Sequence, residues 1–254
     1  MIINHVFKCA ANVGKTFPGA LPNAALAKKV SEALSANGFG KDNTQLATSL
    51  CCDEVNRELD DEFREIYGFN FSMGGLAGFP FGGITSFGAM AHHIPSGGSC
   101  LVVYGPHVGV DSEGVVGKVN RKGRPGSGAC CGSATAAAGY VKAVTAGEQE
   151  AAPGPDDPVD AQQTWVGNML LPHGERINAA KDAAIEVPHA LFDCQDEVIR
   201  KIVAAACGEV AGQGMIALLG GIQINTQGNN SDFFLVKKFD ILNNKGDIVK
   251  SITL

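Results

Sequence analysis

One junction constrains this chain more than any other: Leu50-Cys51-Cys52-Asp53-Glu54-Val55-Asn56-Arg57. Before it, Thr44–Leu50 alternates in the period-2 manner of a short strand. After it, Val55, Leu59, Phe63 and Ile66 recur at helical spacing, and Gly68 supplies a stop. The junction predicts a strand-to-helix corner, with thiols and a carboxylate at the carboxyl end of the strand. In open α/β sheets that edge is where ligands bind. Asp53 and Arg57 are four residues apart. In the first turn of a helix they share a face and can pair.

The remaining segments alternate between strand and helix patterns. Residues 21–38 predict a helix that Asn23 caps and Gly38 ends, with Leu26, Val30, Ala33 and Leu34 on its inner face. Residues 69–98 alternate glycines with Phe79, Phe81 and Phe87 and read as a long loop. It either packs its rings into the core or walls a site where glycine lets backbone approach closely. Ser99–Val110 reads as a strand, followed by a turn through Asp111–Gly114, a strand Val115–Val119 and a basic turn at Arg121–Gly128. Small residues from Ala134 to Val144 predict a helix packed closely on another element or a partner subunit. Gly147–Val159 is acidic and Pro-rich, an exposed connection within one domain spanning 1–254. Helices over Ala161–Leu171 and Pro188–Cys207 follow, the second with proline at its first position. Strands Met215–Thr226 and Phe233–Leu242, a turn at Asn243–Gly246 and an edge strand Asp247–Leu254 complete the chain. Gly14-Lys15-Thr16 lacks the earlier glycine that a phosphate-binding loop needs, since position 9 is Cys.

The chemistry-bearing residues recur at element ends. Besides Cys51 and Cys52, His107 closes the apolar run from Leu101, and Cys130-Cys131-Gly132 opens the small-residue helix. A thiolate beside an orienting carboxylate and guanidinium suits a metal site or a reactive thiol, with His107 as ligand or base. The plain alternative is that these cysteines are small buried hydrophobes.

Cys51-x-Asp53 with Arg57, the Gly/Phe-rich Met73–His93, His107 within Gly105–Gly109 and Cys131-Gly132 within Gly128–Ala134 together resemble the limiting-CO2-inducible B/C family. These are carbonic anhydrases of theta-class type, related to the beta class. The beta class spaces its motif Cys-x-Asp-x-Arg, whereas Arg57 here lies four residues after Asp53, as in the limiting-CO2 branch. The resemblance implies an α/β fold with a compact central sheet flanked by helices. It implies Zn2+ held by Cys51, His107 and Cys131, with Asp53 and Arg57 as the catalytic pair. The implied reaction is reversible hydration of CO2 to bicarbonate by zinc-bound hydroxide. The alternative it leaves open is a catalytically silent zinc-containing subunit of a CO2-concentrating assembly. A homodimer or larger homo-oligomer is implied as well. Phe79, Phe81 and Phe87 are candidate walls for apolar CO2, and His92 or His93 a candidate proton shuttle. Ordinary hydrogen-bonded histidines are the alternative for that pair.

Composition narrows the setting. A formal charge of -6 argues against nucleic acid as partner. No apolar run approaches the ~20 residues that a membrane-spanning helix requires. Eight cysteines in 254 residues, four of them in adjacent pairs, suit a reducing soluble compartment (cytoplasm or plastid stroma) and a metal better than a disulfide framework.

Overall fold

Strands that are apolar on both faces require cover on both faces, and three segments have that character. In the computed structural model, which describes residues 2–121, 123–154, 159–226 and 231–254, all three lie inside one sheet. The strands are β1 (Leu21–Pro22), β2 (Thr44–Ser49), β3 (Asn70–Ser72), β4 (Ser99–Tyr104), β5 (His107–Gly109), β6 (Lys118–Asn120), β7 (Ser127–Ala129), β8 (Met215–Asn225), β9 (Phe233–Asn243) and β10 (Ile248–Ser251). The helices are α1 (Ile2–Thr16), α2 (Asn23–Ser35), α3 (Arg57–Tyr67), α4 (Gly83–Ala91), α5 (Gly132–Thr145), α6 (Ala161–Leu170), α7 (Gly174–Ala179) and α8 (Ala183–Ala206). The fold is α/β, with helices on both sides of the sheet.

The sheet order is β1-β9-β8-β4-β2-β3, with β10 also on β9 and β5 on β8. β3, β2, β4 and β8 run parallel, and β9 returns antiparallel. Alternate residues of β4 face opposite cores. Leu101 and Val103 pack with Leu26 and Val30 of α2 and Leu59 and Phe63 of α3. Cys100, Val102 and Tyr104 pack with Phe87 and Met90 of α4 and Phe192 and Ile199 of α8. A third cluster lies beyond the strand ends, where α5, α6 and α8 meet around Cys51 and Cys131.

The expected strand over 99–110 is broken in two. Gly105, at φ +155°, turns the chain aside, and a Cβ placed on it would lie 1.8 Å from the carbonyl oxygen of Gly221. The chain resumes as β5 farther along β8, pairing His107 with Gln223. The strand expected at 115–119 forms only as β6, which pairs antiparallel with β7 around the basic turn. Within the 69–98 segment, expected to be a loop, β3 and α4 form. Glycine-rich sequence is a poor helix former, yet Phe87 and Met90 of α4 are fully buried against the core, and that burial stabilises the helix.

Three further differences have local causes. α2 begins at Asn23 itself, whose buried side chain makes no cap. α8 begins before Pro188, because Asp182 caps it by accepting from the Ala184 backbone N–H at 2.9 Å, so the proline is internal. α1 and α7 form although neither carries a clear sequence signal. The small face of α5 packs on α6, α7 and α8 of the same chain. Residues 147–154 are largely exposed, while 155–158 of the expected connection lie outside the described residues. Among the described residues, no helix is long and apolar enough to cross a membrane.

Two glycine substitutions separate backbone crowding from mere flexibility. Gly105→Ala forces a methyl group into the Gly221 carbonyl and is expected to destabilise the protein by about 3 kcal/mol or more. Gly88→Ala, inside α4 with open space around its Cβ position, is expected to stabilise by roughly 0.5–1 kcal/mol. Urea denaturation of both variants measures the two effects.

Candidate metal centre

Parallel strands that start in register also end together. β2 and β4 pair Ser49 with Tyr104, so Leu50-Cys51 and Gly105-Pro106 leave the sheet side by side. The glycine-rich segment after β3 closes over this edge. Ser49 Oγ donates to the Gly78 carbonyl at 2.8 Å, and a Cβ on Gly78 would lie 2.4 Å from the Gly105 carbonyl oxygen. Cys51 thus sits just past β2, His107 opens β5, and Cys131 precedes the first residue of α5.

All three side chains are buried, and one ligand atom from each lies within 4.8 Å of the others. The sulfurs of Cys51 and Cys131 are 3.9 Å apart. His107 Nδ1 is 2.7 Å from Asn225 Oδ1, and Nε2 is buried without a hydrogen-bond partner. A buried polar atom without a partner carries a desolvation penalty that a metal ligand bond removes. The sulfurs carry a complementary strain of charge. The contact with Cys131, then burial, pushes the Cys51 thiol up to about 12. The same contact lowers Cys131 against its burial, helped by the backbone N–H groups of Ala134 and Ser133 at the start of α5. Burial opposes a charged His107, but the sulfurs of Cys130 and Cys51 outweigh it and hold the ring up to about 10. A divalent cation would satisfy all three donors at once, and a two-sulfur, one-nitrogen set leaves a fourth position open, as in catalytic zinc sites. The residues fit such an ion.

Asp53 stands at the rim, with Oδ2 4.0 Å from His107 Nε2. Together with His107 and Cys130 it forms a second, overlapping group of potential ligand atoms within 4.8 Å. The expected pairing with Arg57 does not occur. Asp53 precedes the helix and caps a short 3-10 turn, Glu54–Asn56, by accepting from the Val55 backbone N–H. α3 begins only at Arg57, so the two residues never share a helical face. Arg57 instead pairs with Asp60 at 2.6 Å and donates to the Cys51 carbonyl at 2.9 Å. The partner of Asp53 is Arg121, from the turn after β6, which grips both carboxylate oxygens at 2.8 and 2.7 Å and also pairs with Glu54. Burial by itself would raise Asp53; Arg121 holds it well below the usual carboxylate range.

The candidate aromatic walls separate. Phe79 is fully buried in the cluster that contains Cys51 and Cys131, and Phe81 packs beside it, with ring centroids 6.0 Å apart. Trp165 of α6 completes that group, 5.3 Å from Phe81. Phe87 belongs to the other core, between α4 and α8. The histidines are not at the centre either. His92 follows α4, and His93 sets its ring edge-on to Phe71 of β3, with centroids 5.5 Å apart. Both are exposed beyond the outer strand, and β2 and β4 lie between β3 and the strand beside His107.

Sequence reasoning missed Arg121, Asn225 and Asp232. Asp232 accepts from Asn225 Nδ2 at 2.8 Å and from the Thr226 backbone N–H at 2.7 Å, and burial pushes it up to about 7. A polar Asn at the end of the apolar β8 run is the only local signal; Arg121 has none beyond its basic turn. Also unforeseen is a cavity of about 200 Å3 against the donors. It is bounded by His107, Cys131, Ala134, Ala138, Ala184 and Val187 and is mostly apolar.

Known proteins match this chain over most of its length. Residues 20–243 match the family model described as limiting CO2-inducible proteins B/C beta carbonic anhydrases. The crystal structure of PtLCIB4, described as a homolog of the limiting CO2-inducible protein LCIB, is 48% identical, with a TM-score of 0.91 over 96% of this chain and 100% of that one. The structure of a PtLCIB4 point mutant is 47% identical, also at 0.91, covering 97% and 99%. LCIB itself shares the fold at a TM-score of 0.72 and 22% identity, covering 94% and 96%. A search of curated proteins finds no match. The chain belongs to the limiting CO2-inducible B/C family of beta carbonic anhydrases.

Proposed function

We propose that this chain is a zinc-dependent carbonic anhydrase that interconverts CO2 and bicarbonate. The observation that carries the reading is the buried Cys51, His107 and Cys131 donor set with its unpartnered Nε2, in a chain of a carbonic anhydrase family. Bound there, zinc supplies the Lewis acidity that lets a water lose its proton near neutral pH.

The chain's own groups do the rest. Asp53 stays ionised because Arg121 grips both of its oxygens. Its Oδ2, beside Nε2, accepts the hydrogen of the attacking water and orients the oxygen's lone pair. Arg121 also restrains Asp53 from turning onto the metal. CO2 offers no hydrogen-bond donor, so shape and apolar contact must hold it. The cavity beside Cys131, walled by Ala134, Ala138 and Val187, provides such a space. The short reach from Asp53 to the donors also supports a second reading, in which the carboxylate closes the fourth position and the zinc is structural.

Five outcomes test these roles. Plasma emission on the native protein is expected to find about one zinc per chain. Cys51→Ala, His107→Ala and Cys131→Ala are each expected to lose that zinc, and with it CO2 hydration in stopped flow. Native protein that holds zinc without hydration would favour the silent reading. Arg121→Ala is expected to lower kcat/KM by roughly 30- to 100-fold with zinc retained, as expected for loss of a charged hydrogen-bond partner. Arg57→Ala, which breaks only the half-exposed pair with Asp60 and the tie to the Cys51 carbonyl, is expected to cost about 1 kcal/mol of stability and little activity. Ala138→Leu, which fills the cavity, is expected to reduce kcat/KM by about tenfold or more while zinc content and thermal midpoint stay unchanged.

A further inference from the structure

Asn225 lies at the last residue of β8, fully buried, and every polar atom of its side chain is engaged. Nδ2 donates to the Val55 carbonyl at 2.9 Å and to Asp232 Oδ2 at 2.8 Å. Both of these partners are acceptors, so the amide cannot be turned the other way. Oδ1 therefore faces His107 Nδ1, at 2.7 Å, and also accepts from the Cys130 thiol at 3.6 Å. An amide oxygen only accepts. The Nδ1 atom must therefore carry a proton, which makes Nε2 the nitrogen left to ligate a metal.

The second donor bond has a separate consequence. Val55 belongs to the turn that Asp53 caps, and its N–H is bonded to Asp53 Oδ1 at 3.3 Å. Asn225 thus touches both halves of the centre, the ring at the start of β5 and the turn that follows β2. Asp232 is itself anchored: its Oδ1 accepts from Thr226, and its backbone N–H donates to Glu58 Oε1 of α3 at 2.9 Å.

We infer that Asn225, oriented by Asp232, is a positioning residue that selects the metal-binding tautomer of His107 and fixes the Asp53 turn relative to it. The inference rests on the zinc reading above and adds a role for two residues outside the donor set. An outer partner of a ligating histidine commonly alters metal affinity by about 10- to 100-fold. The tie to Val55 acts on Asp53 and not on the metal, so the two effects are separable by substitution.

The experiment uses the full chain and two variants. Zinc dissociation constants are measured by chelator competition, the cobalt-substituted forms by visible absorption, and hydration by stopped flow. Asn225→Ala is expected to weaken zinc binding by about 10- to 100-fold and to change the cobalt spectrum. The swap Asn225→Asp with Asp232→Asn restores an acceptor to Nδ1 and a hydrogen bond between the two positions, but removes the donor to Val55. It is expected to recover zinc affinity to within about threefold of the parent while hydration stays about tenfold slower or more. Asn225→Ala that folds and binds zinc within about threefold of the parent would overturn the inference and leave the zinc reading intact. Should Asn225→Ala fail to fold, the swap decides. Zinc binding about tenfold weaker than the parent's, or full recovery of hydration, would count against the assigned role. A parent chain that binds no zinc overturns the zinc reading and this inference together.

Discussion

Three backbone segments converge at the carboxyl edge of the sheet with almost no room between them. Cβ atoms added to Gly78, Gly105 and Gly221 would fall 2.4 Å from the Gly105 oxygen, 1.8 Å from the Gly221 oxygen and 2.2 Å from the Leu235 oxygen, respectively. The close approach depends on residues without side chains. It ends β4, displaces β5 onto the far half of β8 and seats the segment after β3 across the end of β2. Without it, His107 would continue along β4 and would not reach its place beside Gln223 of β8. The convergence of Cys51, His107 and Cys131 follows from this packing, since none of them touches another along the chain.

Charge is organised around the same edge. The two sulfurs, the imidazole and Asp53 make a dense group of donors, and each has a partner that governs its state. Arg121 keeps Asp53 ionised, Asn225 engages one face of His107, and the start of α5 favours a thiolate at Cys131. Another polar network lies deeper in the fold. Tyr104 donates to Asp196 at 2.6 Å, and Arg200 joins Asp196 to Asp240. That network ties α8 to β4 and β9. It uses none of the groups that face the metal donors.

The candidate donor positions were legible because each sits at an element boundary, where sequence pattern changes character, whereas the choice of Cys51 and Cys131 within their pairs came from the family resemblance. Cys51 ends a strand pattern, His107 ends an apolar run and Cys131 opens a helix. The pairing of Asp53 was not legible. A four-residue spacing implies a shared face only inside a helix, and the chain puts a 3-10 turn between Asp53 and α3. Arg121 reaches Asp53 from 68 residues away through a hairpin of which the pattern showed one strand and the turn but not the partner strand. The aromatic wall divided for a related reason. Phe79 and Phe87 are eight residues apart in a segment with no clear period, and only the fold of α4 sends them to different cores.

The sequence by itself determined the alternation of strand and helix, the burial of β4 and β8 on both faces, and the identity of the thiols and imidazole at their ends. These are properties of local pattern and of hydrophobicity, which act over a few residues. Tertiary structure alone decided which arginine serves Asp53, which amide orients His107 and where an apolar cavity opens. Each of those depends on contacts between segments distant along the chain. Such contacts are set by sheet order and close backbone packing, and no spacing along the sequence encodes them.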